Sequence, residues 1–327
     1  MRLVLVCLVL LVGCAGPSMP RLPGDLPAPT VSSAVTRLVS TPLVRPTAPG
    51  AVPAAPATRV DPGTTPTTAM PATPIPPSPS ALAPMAGTPA PTLAGNLITR
   101  TMHLDIYRVE GGLLETTLLD LAPRFEEAIG RVGERMGAHL SGRVAISFEP
   151  PQRGACALRG ITLSHARTIH LYYASDTPEQ RLLPIVAHEL VHQLQHDYYG
   201  WEAHRRSDTI LLEGQATWAS GDYALADGRP AWAVQAEQAL AEGRLLPLTA
   251  DLEADCRTTT RNTAYTGWAS FVDFLISTYG RERFDALYRS SPKRAPGAAD
   301  YAGIYGKDLN ALDQAWRAWL KRGSGAR

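Results

Sequence analysis

The stretch Ile185-Val186-Ala187-His188-Glu189-Leu190-Val191-His192 decides the fold, because it sets an H-E-x-x-H pattern inside an apolar helix. Two histidines four residues apart lie on one face of a helix, so both imidazoles can bind a single metal ion. Glu189 lies beside that face, where a carboxylate can accept a proton from a zinc-bound water. The pattern predicts zinc (Zn2+), with His188 and His192 as ligands and Glu189 as general base.

A catalytic zinc site needs a third protein ligand, and two candidates follow in the chain. His196 continues the four-residue spacing, but it lies about 12 Å from His188 along a straight helix, too far for both to form bonds of ~2 Å. We expect His196 to be solvated or to support the site from outside. Glu213 is the better candidate, because a lone carboxylate in the apolar run 209–218 needs a partner for its charge. Two histidines and a carboxylate suit zinc best.

A family resemblance appears when the second segment is added to the first. H-E-x-x-H followed about twenty residues later by Glu213-Gly214-Gln215-Ala216 resembles the gluzincin zinc metallopeptidases and, in layout, the bacterial peptidase MA-like domains. The resemblance covers roughly residues 100–322. It implies a zincin-like fold and a peptidase acting on a peptide or protein substrate. Because no G-x-M-E-N segment for binding a substrate amino terminus occurs, an endopeptidase is favoured over an aminopeptidase.

Further site residues follow only from the resemblance. Relatives use a tyrosine or histidine from the downstream helices to stabilise the transition state, and Tyr265 is the candidate here. Thr217 stands where thermolysin-like enzymes have an aspartate that orients a zinc histidine. Asp222 or Asp273 could take over that role. The strand around 169–173 is expected to pair with an extended substrate backbone.

The predicted fold is α+β, with a small sheet followed by a mostly helical part. Strands are expected at 143–148 and 168–173, where β-branched and aromatic residues alternate. Pro184 should break a continuous helix, so we expect a short turn at 178–183 and the zinc helix starting near Pro184 and ending before Gly200. The other expected helices lie at 113–136, 207–225, 231–242, 263–279, 281–289 and 309–321.

The amino terminus predicts export as a bacterial lipoprotein. Arg2 and the apolar run after it are typical of a signal peptide, assigned to residues 1–13. Leu11-Val12-Gly13-Cys14 resembles a lipobox, which implies acylation of Cys14 and anchoring to a membrane of the cell envelope, facing the periplasm or the cell surface. Residues 15–97 hold 20 of the 29 prolines and six charged residues. We expect residues 14–97 to form a disordered tether.

Residues 98–327 remain for the zinc metallopeptidase domain. Its two cysteines, Cys156 and Cys256, suggest a disulfide in an exported protein. The net charge of +1 argues against nucleic acid as a partner. The alternative is a non-catalytic surface module that contains zinc and binds peptides or proteins. The retention of Glu189 favours the enzyme, because a structural zinc site needs no general base. The oligomeric state stays open.

Overall fold

The computed structural model describes residues 93–226 and 231–323. The expected signal peptide, Cys14 and nearly all of the tether lie outside these residues. The prediction of an α+β fold is confirmed, because a mixed five-stranded sheet is followed by a mostly helical part.

The sheet contains three strands that the sequence patterns did not predict. The two expected strands are β3 (Val144–Glu149) and β5 (Thr168–Tyr172), joined by β1 (Asn96–Arg100), β2 (Leu104–Arg108) and β4 (Gly160–Leu163). The strand order is β1-β2-β3-β5-β4, with β2, β3 and β5 parallel and both outer strands antiparallel to their neighbours. Strand β1 spans position 98, so the sheet begins before the expected domain boundary.

The position of β5 corrects one expectation about substrate binding. Strand β5 pairs with β3 on one side and with β4 on the other. Its backbone therefore has no free edge for a substrate, and the expected pairing with residues 169–173 is wrong. The outer strand on this side of the sheet is β4, which was missed because four residues are too few to show an alternating pattern.

Ten α-helices lie in the described part of the chain. The four expected from 231 onward are found within a few residues of their predicted bounds. The helices are α1 (Glu115–Met136), α2 (Glu179–Tyr199), α3 (Trp201–Arg206), α4 (Thr209–Ala219), α5 (Gly221–Ala224), α6 (Trp232–Ala241), α7 (Thr258–Tyr279), α8 (Arg281–Arg289), α9 (Tyr301–Tyr305) and α10 (Leu309–Lys321). None of them is both long and apolar enough to cross a membrane.

Helix α2 runs through Pro184, so the predicted break there is wrong. A proline inside a helix removes one hydrogen bond, here to the carbonyl of Gln180, at a cost of about 3 kcal/mol. Leu182, Leu183 and Val186 are buried around it. Each such side chain stabilises the fold by about 1.5–3 kcal/mol when it leaves water, so packing outweighs the broken bond. The helix ends at Tyr199, as expected.

The expected helix 207–225 is divided at Ser220 into α4 and α5. Asp208 caps α4: its carboxylate accepts from Ile210 N at 2.9 Å. The same fully buried carboxylate accepts from Gly297 N, Ala299 N and the Tyr301 hydroxyl at 2.9–3.1 Å. Asp208 therefore joins the start of α4 to the loop before α9 and sets the direction of the helix that carries Glu213.

We predict that Asp208→Ala destabilises the protein by about 3 kcal/mol or more, because it removes a helix cap and leaves buried donors without an acceptor. Asp308→Ala is the matched control: Asp308 also caps a helix, but it is exposed and accepts only from Ala311 N. Its loss should cost about 1 kcal/mol. Urea unfolding measures both, and equal losses would refute the assigned role of Asp208.

Candidate metal centre

Three side chains converge where helix α2 faces helix α4. His188 Nε2 lies 3.2 Å from His192 Nε2 and 3.2 Å from Glu213 Oε2, and His192 Nε2 lies 3.5 Å from the same oxygen. Ligands at about 2.0–2.1 Å from a tetrahedral zinc are separated by about 3.3–3.4 Å. The three atoms therefore have the spacing of one face of a zinc tetrahedron. No other group of three potential ligands is found among residues 93–226 and 231–323.

Close packing of helices brings Glu213 to the two histidines. Gly214 faces helix α7, and a Cβ there would lie 2.8 Å from the backbone oxygen of Trp268. The neighbouring residue must therefore be glycine for α4 to approach α7 this closely. Glu213 itself points the other way, towards α2, with 18% of its side chain exposed.

The charges at this point are strongly coupled. Burial raises the pKa of Glu213, but His192 and His188 outweigh burial and hold this pKa well below its usual value. Burial lowers the pKa of His192, but the charge of Glu213, with smaller contributions from Glu189 and Gln195, raises it to about 9. Without a metal, the buried carboxylate thus keeps a proton on His192. A bound cation would take the place of that proton.

Gln195 sets the tautomer of His192. Gln195 Nε2 donates to the backbone oxygen of Leu212 at 2.9 Å, so its Oε1 must face His192 Nδ1, which lies 2.9 Å away. His192 Nδ1 is therefore the protonated nitrogen that donates. When His192 is neutral, the lone pair of Nε2 is left to point at Glu213 and His188, as a metal ligand requires.

The hydrogen bond from His192 to Gln195 is the first in a buried chain of hydrogen bonds. Gln195 Nε2 donates to Gln215 Oε1 at 3.1 Å, and Gln215 Nε2 donates to the Tyr199 hydroxyl at 3.0 Å. That hydroxyl donates to Asp285 at 2.6 Å, and Arg281 donates to the same oxygen at 2.7 Å. From His192 to Asp285 each group donates to the next, so each bond polarises the one that follows. The chain links His192 to an ion pair on helix α8.

His188 is held by two other residues. Tyr265 from α7 stacks on its ring, with centroids 5.8 Å apart and planes at 7°. Thr217 Oγ1 lies 3.5 Å from His188 Nδ1, at the position where thermolysin-like enzymes have aspartate. Asp222 instead pairs with Arg135, and Asp273 accepts from Trp218. The expectation that Asp222 or Asp273 orients a zinc histidine is therefore wrong, because neither reaches one.

Tyr265, the residue predicted to be the transition-state donor, lies beside His188 and Glu213. Burial raises its pKa well above the usual value, and the negative charges of Glu213 and Glu189 raise it further. The hydroxyl therefore stays protonated and can donate. It also forms a hydrogen bond with Glu213.

Glu189 lies against strand β4. Its Oε2 accepts from the Thr162 hydroxyl at 2.7 Å, and only 6% of the residue is exposed. A Cβ at Gly160 would lie 2.6 Å from Glu189 Oε1, so position 160 has to be glycine for the carboxylate to fit. Gly160 and Thr162 are site residues that sequence reasoning missed, because a lone glycine and threonine in a short segment carry no motif.

A cavity of about 530 Å³ opens over the metal centre. Strand β4 forms one wall, and the part of α7 around Tyr265 lines it as well. Cys156 and Cys256 form a disulfide, which connects the loop before β4 to the loop before α7. The two walls are therefore covalently linked through the loops that lead into them.

His196 lies away from the metal centre. Its Nδ1 is 3.0 Å from Asp197 Oδ1, and its ring meets the edge of His204 with centroids 5.9 Å apart. Only 16% of its side chain is exposed. His196 is thus not one of the converging ligand candidates, and its side chain is mostly buried.

The chain matches no model of a known protein family, and no curated protein is significantly similar to it. The resemblance to the gluzincins therefore stays a prediction.

We predict that Gln195→Ala weakens zinc binding by about 10–100-fold, because His192 loses the acceptor that holds its tautomer. Gln193→Ala is the matched control: Gln193 is equally buried on the same helix, but it donates to Asp197. Zinc affinity can be measured by competition with a chelating dye. Equal weakening in both variants would show that general loss of packing, and not the bond to His192, causes the effect.

Proposed function

We propose that this protein is a zinc-dependent peptidase with a zincin-like fold of the gluzincin type. The observation that carries the proposal is the triangle of His188, His192 and Glu213, with the carboxylate of Glu189 beside it at the floor of an open cavity. Two histidines and a carboxylate are the ligand set of catalytic zinc in this class of enzymes.

The number of ligands supports a catalytic metal over a structural one. A structural zinc is bound by four protein ligands, whereas a catalytic zinc keeps one position for water or substrate. In the described part of the chain three donor groups gather, and they border the cavity. This count argues against the alternative of a zinc-containing module that only binds peptides.

Bound at this point, zinc would supply a water molecule of lowered pKa and polarise a substrate carbonyl. Glu189, held by Thr162, would accept a proton from the water that attacks the carbonyl carbon. Tyr265 donates a hydrogen bond to the oxygen that gains negative charge. The C–N bond then breaks, and Glu189 returns the proton to the departing amine.

Strand β4 would set the direction in which a peptide substrate lies across the site. Its outer edge borders the cavity, with Gly160 and Thr162 beside the general base. An extended peptide can add to this edge as a further strand, so that its backbone passes the metal centre. All four residues of the strand line the cavity, which favours cleavage within a chain, as an endopeptidase performs.

We expect Glu189→Gln to keep zinc and to lose peptide hydrolysis, because the amide cannot accept the proton. Glu213→Ala should lose most of its zinc, since one corner of the triangle is gone. Metal content and cleavage of a mixed peptide library, read by mass spectrometry, measure both variants beside the parent. Turnover retained in Glu189→Gln would refute the mechanism, and full zinc in Glu213→Ala would place the third ligand elsewhere.

We further propose that the protein is exported and anchored through Cys14 to the outer face of a bacterial membrane. The disulfide between Cys156 and Cys256 supports export, because such bonds persist mainly in oxidising compartments. Expressed in a bacterial host, the parent should fractionate with membranes and Cys14→Ala should not. Membrane association of Cys14→Ala equal to that of the parent would contradict the lipid anchor.

A further inference from the structure

Positive charge surrounds the metal centre, and nothing in the proposed reaction uses it. Three arginines line the cavity: Arg159, Arg261 and Arg294. We refer to them as the cleft arginines. The carboxylates in the same lining are Glu189 and Glu213, and both belong to the centre itself.

The cleft arginines have no acidic partner among the described residues. Arg294 donates to the backbone oxygen of His204, and Arg159 contacts the hydroxyl of Tyr173. Arg261 lies near the hydroxyl of Tyr265 and forms no ion pair in the described chain. Most other arginines of the described residues pair with carboxylates, as Arg205 does with Glu202, Arg257 with Asp255 and Arg317 with Asp313.

Two of the cleft arginines lie near opposite ends of strand β4. Arg159 immediately precedes the strand. At the other end, Ser164 bonds to the ring of His204, whose backbone oxygen accepts from Arg294. Four residues of strand span about 13 Å. A peptide lying along β4 would therefore meet a positive charge on each side of the bond above the metal centre.

Arg261 adds a third charge from the opposite wall. It lies four residues before Tyr265 on α7, and therefore on the same face of the helix. Tyr265 stacks on His188. The disulfide between Cys156 and Cys256 links the loop that carries Arg159 to the loop that leads into α7. Cations are thus presented from three segments, two of which are covalently connected.

We propose that the substrate is an acidic peptide segment, with aspartate or glutamate side chains on both sides of the cleaved bond. The inference rests on the proposed peptidase function and names its substrate class. Arginine is suited to this role, because its guanidinium forms paired hydrogen bonds with carboxylates. Charges on both sides favour side chains over a terminal carboxylate, which could supply only one.

The test uses the purified, zinc-loaded protein and three peptides that differ only in the residues flanking the cleaved bond: glutamate, glutamine or lysine. With two exposed charge pairs formed, kcat/KM for the glutamate peptide should exceed that for the glutamine peptide by about tenfold. The lysine peptide should be slowest. The advantage should shrink as ionic strength rises from 0.05 to 0.5 M, because salt screens exposed charges.

Replacing all three cleft arginines by glutamine should reduce the glutamate-to-glutamine ratio to about twofold or less, with zinc content retained. Arg283→Gln is the control, because Arg283 is exposed on α8 and does not line the cavity. It should leave the ratio unchanged. An undiminished ratio in the triple variant, or a preference for lysine, would overturn the proposal. A glutamate preference that disappears when the peptide carboxyl terminus is amidated would overturn it too.

A binding measurement tests the acidic substrate class independently of peptidase activity. The zinc-loaded Glu189→Gln variant is titrated with the same three peptides, followed by fluorescence anisotropy, with and without the three arginine replacements. Arginine-dependent binding of the glutamate peptide sustains the substrate class even if the parent cleaves nothing. Cleavage by the parent without any charge preference would leave the peptidase standing and refute the acidic substrate.

Discussion

The candidate metal centre of this protein depends on one electrostatic constraint, the carboxylate of Glu213 held between two imidazoles on the neighbouring helix. A largely buried carboxylate is costly unless a positive charge lies beside it. His192 supplies that charge when protonated, and the atom spacing of the three groups equally fits zinc. The three groups therefore have the charge and the spacing that suit a bound cation.

Much of the surrounding structure keeps Glu213, His188 and His192 in register. Asp208 fixes the start of α4, and Gly214 lets that helix approach α7 closely. On helix α2, Gln195 fixes the tautomer of His192. A buried chain of hydrogen bonds then connects Gln195 to Asp285. Every member of this chain must keep its hydrogen-bond partner, because one missing partner would leave a buried polar group unsatisfied. Its members connect the candidate metal centre to α8, which packs against α2.

The converging residues were predictable because their chemistry follows from spacing along single helices. His188 and His192 share a helix face because they are four residues apart, and Glu213 stands out as the one charge in an apolar segment.

The residues that support the site carry no such sequence pattern. Gln195 and Gln215 look like ordinary helix residues until tertiary packing buries them, and Thr217 could not be assigned a role from its position alone. Asp222 and Asp273 were named only as possible substitutes, and their helices direct them to Arg135 and Trp218. At Pro184 the low helix propensity of proline predicted a break, but burial of the neighbouring apolar side chains keeps helix α2 continuous. Strand β4, with Gly160 and Thr162, has only four residues, too few to show an alternating pattern, and it becomes visible through its pairing with β5.

The most direct measurement of the central claim is anomalous diffraction at the zinc absorption edge from crystals of the protein grown with zinc. The account predicts one strong peak about 2.0–2.2 Å from His188 Nε2, His192 Nε2 and a carboxylate oxygen of Glu213, with solvent in the remaining position. A peak at another place, or a fourth protein ligand completing the tetrahedron, would contradict an open catalytic centre.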